Sequence, residues 1–167
     1  MSRIVLKFGG TSVGSVERIN HVAKIVKSEV DLGNQIVVVL SAMAGETDRL
    51  INLTKELSND FQDSEFDVVI SSGEQVTAGA LSGLLNSLGI KAQSRLGWQI
   101  PIVTSGDHKS ARIEAIHSKE LINLLELNRM ENLKKSSAFN AAPPIRPPSI
   151  SEHEISSTAL PAFMLPP

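Results

Sequence analysis

Strands alternating with helices predict an α/β fold, a mostly parallel sheet with helices on both faces. Three stretches carry that reading. Residues 3–8 form a short apolar run of the buried type, with Ile4-Val5-Leu6 at its centre. From Ser15 to about Val30, Val16, Ile19, Ala23, Val26 and Val30 recur at helical spacing. Gln35–Leu40 then holds Ile36-Val37-Val38-Val39, a β-branched run of the kind buried on both faces of a central strand.

The later elements follow the same logic. Ser15 is suited to cap the first helix, and Gly33-Asn34 to stop it and turn the chain. Ser41-Ala42-Met43-Ala44-Gly45 breaks the second strand, and Leu50, Leu53 and Leu57 predict a helix to about Asn59. Phe66 to Ile70 reads as a short apolar lead-in. Ser71-Ser72-Gly73-Glu74 then precedes an amphipathic helix bearing Val76, Ala80, Leu84, Leu85 and Leu88. A strand is expected from Leu88-Gly89-Ile90 through about Ser94, another at Ile100–Thr104, and a last helix over about 118–127.

Composition changes after about Arg129. Seven of the eight prolines fall in the last 25 residues, and no helical or strand period survives from Lys134 onward. Such a segment buries too little apolar surface to offset its ordering entropy. The expected organisation is therefore an α/β domain over 1–128 and a disordered proline-rich tail over 129–167. Pro144 and Pro147 satisfy a Pro-x-x-Pro spacing, but an unstructured tail is the simpler reading.

Bulk properties narrow the function. The chain has 167 residues, 41% of them hydrophobic, enough for one real core. A net charge of −2 offers no electrostatic footprint for nucleic acid. The absence of cysteine excludes disulfides and thiolate chemistry. No stretch approaches the roughly 20 apolar residues needed to span a bilayer. A soluble cytoplasmic protein with no membrane partner is the expectation.

Three polar clusters follow apolar strands or lead-ins, and in an open parallel sheet such loops share the edge where ligands bind. Lys7-Phe8-Gly9-Gly10-Thr11-Ser12 comes first. Glycines without Cβ let backbone N–H groups approach a phosphate, a following helix N-terminus favours its charge, and lysine adds a mobile cation. The second, Ser41 to Asp48, offers hydroxyls from Ser41 and Thr47 and a glycine turn. The third places Glu74 at a helix start, able to cap N–H groups or meet a ligand ammonium. Each has an ordinary alternative: a tight turn with an exposed lysine, helix caps at Ser41 and Thr47, a macrodipole partner at Glu74.

Other features carry less. Asp107, His108 and His117 lack metal-ligand spacing and read as solvated loop residues, and His21 as a residue of a surface helix. Trp98 reads as a packing anchor. Neither a nucleophile elbow nor a Gly-Lys-Ser/Thr P-loop is present.

Taken in order, these residues resemble the aspartate kinases of the amino-acid kinase family. Lys7-Phe8-Gly9-Gly10-Thr11-Ser12-Val13 is similar to that group's opening signature. Val37 to Met43 with Thr47-Asp48 resembles its second loop, and Ser72-Gly73-Glu74-Gln75 its Gly-Glu segment. Ala92-Gln93-Ser94, Gly97-x-Gln99 and Thr104 to Ile113 continue the likeness, which covers about residues 3–128.

The resemblance implies an amino-acid kinase-like, incomplete fold and transfer of the ATP γ-phosphoryl to the β-carboxylate of L-aspartate. That step opens lysine, threonine and methionine biosynthesis. It implies Lys7 as the catalytic cation, Lys7, Phe8, Gly9 and Gly10 around the phosphates, and Ser41, Thr47 and Glu74 around aspartate. Mg²⁺ would accompany ATP, with no protein ligand assigned to it. The family's Gly-Arg-Gly-Gly-Ser-Asp segment, adenine-side segment and regulatory domains do not appear. A frameshift or early stop after about Asn128, a chain inactive by itself, and no homo-oligomer without regulatory domains are the expectations. A non-catalytic fragment and another amino-acid kinase are the alternatives.

Overall fold

The computed structural model describes residues 2–100, 102–106, 108–119, 121–126 and 162–165. Asp107, the expected 128/129 boundary and the Pro-x-x-Pro stretch lie outside the described residues. The elements run β1 (Arg3–Phe8), a 3₁₀ turn (Gly10–Val13), α1 (Val16–Asp31), β2 (Gln35–Leu40), α2 (Glu46–Leu57), α3 (Asp63–Ser87), β3 (Gln93–Arg95), β4 (Ile102–Thr104), β5 (Ile113–Ile116) and β6 (Ala162–Leu165). Residues 121–126 are also helical.

β1 and β2 lie where the apolar runs predict, paired in parallel from Arg3 opposite Gln35 to Phe8 opposite Leu40. Alternation along β2 sends Ile36, Val38 and Leu40 into the main core with Val22, Ala23 and Val26 of α1 and Ala78, Leu81 and Leu85 of α3. Val37 points to the other face and is buried against Leu125, with Leu121 and Leu124 beside it. Helices therefore cover both faces, and β2 is a central strand.

The cap expected at Ser15 is present: its Oγ accepts a hydrogen bond from the Arg18 N–H at 3.3 Å. Gly33, at φ +79°, ends α1 in the left-handed region that glycine tolerates. Replacing Ser15 with alanine should cost about 1 kcal/mol, read as a lower urea midpoint with unchanged slope.

Several helix details differ from the sequence reading. α3 is one continuous helix that takes in both the Phe66–Ile70 lead-in and Ser71-Ser72-Gly73-Glu74. The serines do not break it because their hydroxyls turn inward to helix carbonyls, Ser71 to Val68 O at 3.0 Å and Ser72 to Val69 O at 2.7 Å. Its buried stripe is Ile70, Gly73, Glu74, Thr77, Ala78, Leu81, Ser82 and Leu85. Val76 and Leu88, assigned to that stripe from spacing, are exposed. On α2 the buried positions are Leu50 and Thr54, while Leu53 and Leu57 face solvent. Trp98 is 66% exposed, so it is no packing anchor.

Strand order in the main sheet is β1-β2-β6-β3. β6 runs antiparallel to both β2 and β3, so β3 points the same way as β1 and β2. β6, four residues long, comes from the segment expected to lack structure. β4 and β5 form a separate antiparallel hairpin with an irregularity between Val103 and Thr104, and β5 was not expected from the sequence.

Candidate functional site

The parallel pairing of β1 and β2 brings their C-terminal ends level, and the two following loops lock together there. Ser41 N–H continues the ladder to Phe8 O at 3.2 Å, and Ala44 N–H reaches Gly10 O at 3.1 Å. Contact is so close at Gly10 that a Cβ there would stand 2.8 Å from the Ala42 carbonyl oxygen. Arg18 Nη1 donates to Thr11 O at 2.7 Å and ties the 3₁₀ turn to α1.

Lys7 lies on the opposite strand face from Ile4, Leu6 and Phe8, which pack on the main core. It is exposed, and its ammonium stands 3.6 Å from where a Gly9 Cβ would be. Lysine and the bare glycine backbone thus sit side by side. A cation beside a glycine backbone is chemistry suited to phosphoryl oxygens.

α3 meets the same point from the core side. A Cβ at Gly73 would come 2.8 Å from the Ala42 Cβ, with the Glu46 Cγ at 3.5 Å and Leu50 Cδ1 at 3.6 Å. Glu74, next along, is 4% exposed and accepts the Ala42 N–H through Oε1 at 3.2 Å. Its Oε2 is buried and has no hydrogen-bond partner. Burial raises the Glu74 pKa above the ordinary carboxyl value, and the Ala42 N–H offsets part of that rise.

Two sequence readings are corrected here. Glu74 is a mid-helix residue, not the first turn of a helix, so it caps nothing and meets no macrodipole end. α2 is entered through Gly45, at φ +81° and with no side-chain cap, so neither Ser41 nor Thr47 caps it. Thr47 lies half-buried in the first turn of α2, the turn whose Glu46 and Leu50 border Gly73. Ser41 lies half-buried between Leu40 and Ala42.

The three clusters therefore converge, with Ala42 as the common point. Sequence reasoning missed Gly73 and Ala42 themselves. Their signal is only small side chains beside polar ones, which becomes informative once two backbones are seen to touch.

A second polar cluster was also missed. His108 Nδ1 lies 2.7 Å from Asp67 Oδ2, and Lys109 pairs with Asp63 while standing 4.7 Å from the Phe66 ring centre. Lys109 adopts φ 60°, a left-handed conformation that its N–H contact to Asp67 helps hold. These exposed contacts fasten the β4–β5 hairpin to the first turns of α3. His117 and His21 are exposed, as expected. Among the described residues no group of three acidic or histidine side chains could hold a metal ion, and no helix is long and apolar enough to cross a membrane.

The sequence profile of the amino acid kinase family matches residues 2–130. The chain is 47% identical over 131 residues to the aspartokinase of Rickettsia felis, covering 77% of this chain and 33% of that one. It is 50% identical over 132 residues to the aspartate kinase of Pseudomonas fluorescens, covering 78% of this chain and 32% of that one. The chain thus spans about a third of the length of these relatives. E. coli aspartokinase III, solved in complex with aspartate and ADP, shares the fold with a TM-score of 0.58 at 22% identity, covering 77% of this chain and 38% of that one. Residues 2–130 resemble the N-terminal part of an aspartokinase, and the chain belongs to the amino acid kinase family.

Proposed function

We propose that this chain carries the phosphate and amino-acid half of an aspartate kinase site in a cytoplasmic setting. The observation that carries the reading is the buried, unpartnered Glu74 Oε2, one hydrogen bond through Ala42 from the Gly10 turn. An α-ammonium group satisfies that oxygen and neutralises the buried charge. Ser41 and Thr47, on the loop and helix turn that adjoin Glu74, complete the contacts to aspartate. Lys7, with Phe8, Gly9 and Gly10, receives the phosphates of ATP.

In the reaction a β-carboxylate oxygen attacks the γ-phosphorus. The bond from that phosphorus to the bridging β–γ oxygen breaks, giving 4-phospho-L-aspartate and ADP. The nucleophile is already ionised at neutral pH, so no general base is required. Catalysis rests on positioning and on neutralising charge at the equatorial oxygens, which is the role of Lys7. Mg²⁺ bound with the nucleotide would add charge neutralisation at the phosphates, and no residue of this chain is assigned to hold it. The product feeds lysine, threonine and methionine biosynthesis.

The chain by itself is expected to bind without turning over. A coupled ADP-release assay with aspartate should give no rate above background, and turnover near 10 s⁻¹, ordinary for an enzyme, overturns that part. Nucleotide binding is read separately by titration calorimetry. Lys7→Met should weaken ATP binding roughly tenfold or more, the size of one charge-assisted contact, and unchanged affinity removes Lys7 from the site. A second reading is a non-catalytic fragment, and absence of both ATP and aspartate binding selects it.

A further inference from the structure

β3 runs the same way as β1 and β2, so its carboxyl end lies at the sheet edge that carries the Gly10 turn and the Ala42 loop. The last residue of β3 is Arg95. One line of cross-strand partners joins it to the site: Lys7 opposes Val39, Val39 opposes Phe163, and Phe163 opposes Arg95. Directly opposed residues share a face of the sheet. Lys7 and Arg95 therefore stand on one face at one level, about 14 Å apart across three strand spacings.

Neither of these cations is neutralised by the protein. Arg3, Lys27, Arg49 and Lys109 each meet a carboxylate. Among the described residues none pairs with Lys7 or Arg95. A guanidinium presents several N–H donors in a fixed fork. Among the described residues its one hydrogen bond runs from Nη2 to the neutral Gln93 Oε1, at 3.1 Å. Arg95 is half-buried, and its Nε is buried with no partner at all. A partly desolvated cation so short of acceptors gains most from an oxyanion.

We propose that Arg95 is the second cation of the phosphate site, and that the ligand is an extended polyphosphate lying across the sheet edge from Lys7 to Arg95. The inference rests on the reading of Lys7 as the cation that receives phosphate. Two charges set this far apart act together on a chain of linked phosphates, whose charge is spread along its length. A single orthophosphate gains far less from the pair. The arginine fork grips the oxygens of one phosphate while the lysine neutralises charge at the other end. Arg95 is thus a specificity-determining residue, selecting triphosphate over shorter anions.

Titration calorimetry on the full chain, with inorganic tripolyphosphate and orthophosphate as probes, tests the assignment. Arg95→Gln should weaken tripolyphosphate binding roughly tenfold or more, the size of one charge-assisted contact, and leave orthophosphate binding unchanged. Lys24→Gln, an exposed change on α1, controls for net charge and should leave both unchanged. If tripolyphosphate binds wild type and Lys7→Met weakens it while Arg95→Gln does not, this inference alone falls. If wild type binds no tripolyphosphate, the reading of Lys7 falls with it. A loss confined to L-aspartate binding gives the guanidinium to the amino acid and overturns the proposal. Should Arg95→Gln fail to fold, phenylglyoxal modification of wild type, mapped by mass spectrometry, decides. With tripolyphosphate at about ten times its Kd, modification of Arg95 should slow roughly tenfold, the factor mass action sets, while exposed Arg112 reacts as before. Equal slowing at both, or none at Arg95, overturns the assignment.

Discussion

Gly10→Ala should destabilise the chain by about 2 kcal/mol and abolish phosphate binding at the same time. The added Cβ would stand 2.8 Å from the Ala42 carbonyl oxygen, a backbone atom that cannot swing aside. Gly10 is not among the glycines at positive φ, so the backbone conformation itself accepts alanine. The whole effect is steric, an overpacking of the kind that costs about 1–3 kcal/mol. A melting temperature lower by roughly 5–10 °C is the readout for a domain of this size. Gly73→Ala should cost a similar amount, because its Cβ would meet the Ala42 Cβ at 2.8 Å. The two differ in rescue. Ala42→Gly removes the obstacle for Gly73→Ala but leaves the carbonyl that opposes Gly10→Ala. A double-mutant cycle should show strong favourable coupling between positions 42 and 73 and little between 42 and 10.

Glu74→Gln should separate stability from ligand binding by moving them in opposite directions. The folded state raises the Glu74 pKa through burial, so it holds the proton more firmly than the unfolded chain does. Stability therefore falls as pH rises from the ordinary carboxyl range through the folded value, and the loss is complete above it. Glutamine carries no charge and still offers an oxygen to the Ala42 N–H. The variant should be more stable than wild type at pH 8 by on the order of 1 kcal/mol, the scale of an unsatisfied buried group. That advantage should vanish at low pH, where wild type is protonated. L-aspartate binding should meanwhile weaken about 10–100-fold, the worth of a charge-assisted contact to an ammonium. Equal stability at all pH values argues against a buried carboxylate. Undiminished aspartate affinity moves the amino-acid site elsewhere.

The sequence was most legible where one local signal acted alone. β1 and β2 appear at their expected residues because a β-branched or apolar run between turn residues has few alternatives. Ser15 caps α1 because its hydroxyl competes with nothing else for the free N–H of Arg18. α3 was read less well. Its serines and glycine look like a break, yet the hydroxyls bond within the helix and Gly73 serves a close packing contact. The stripe drawn through Val76 and Leu88 followed the largest apolar residues, whereas the buried stripe runs through small ones. Close approach of a helix to a loop selects small residues, and hydrophobic spacing does not register them.

By itself the sequence determined the α/β class, the parallel β1–β2 pair, the turn bearing Lys7, Gly9 and Gly10, and the family to which these motifs belong. All of these depend on neighbours within a few residues, or on motifs in a recognisable order. Only the tertiary structure decided that Glu74 is buried with one oxygen unpartnered, that Ala42 joins three segments, and that residues 162–165 pair between β2 and β3. Those are properties of contacts between residues distant along the chain. A carboxylate, a glycine or a four-residue apolar run has no fixed role until packing determines what stands within a few ångströms of it.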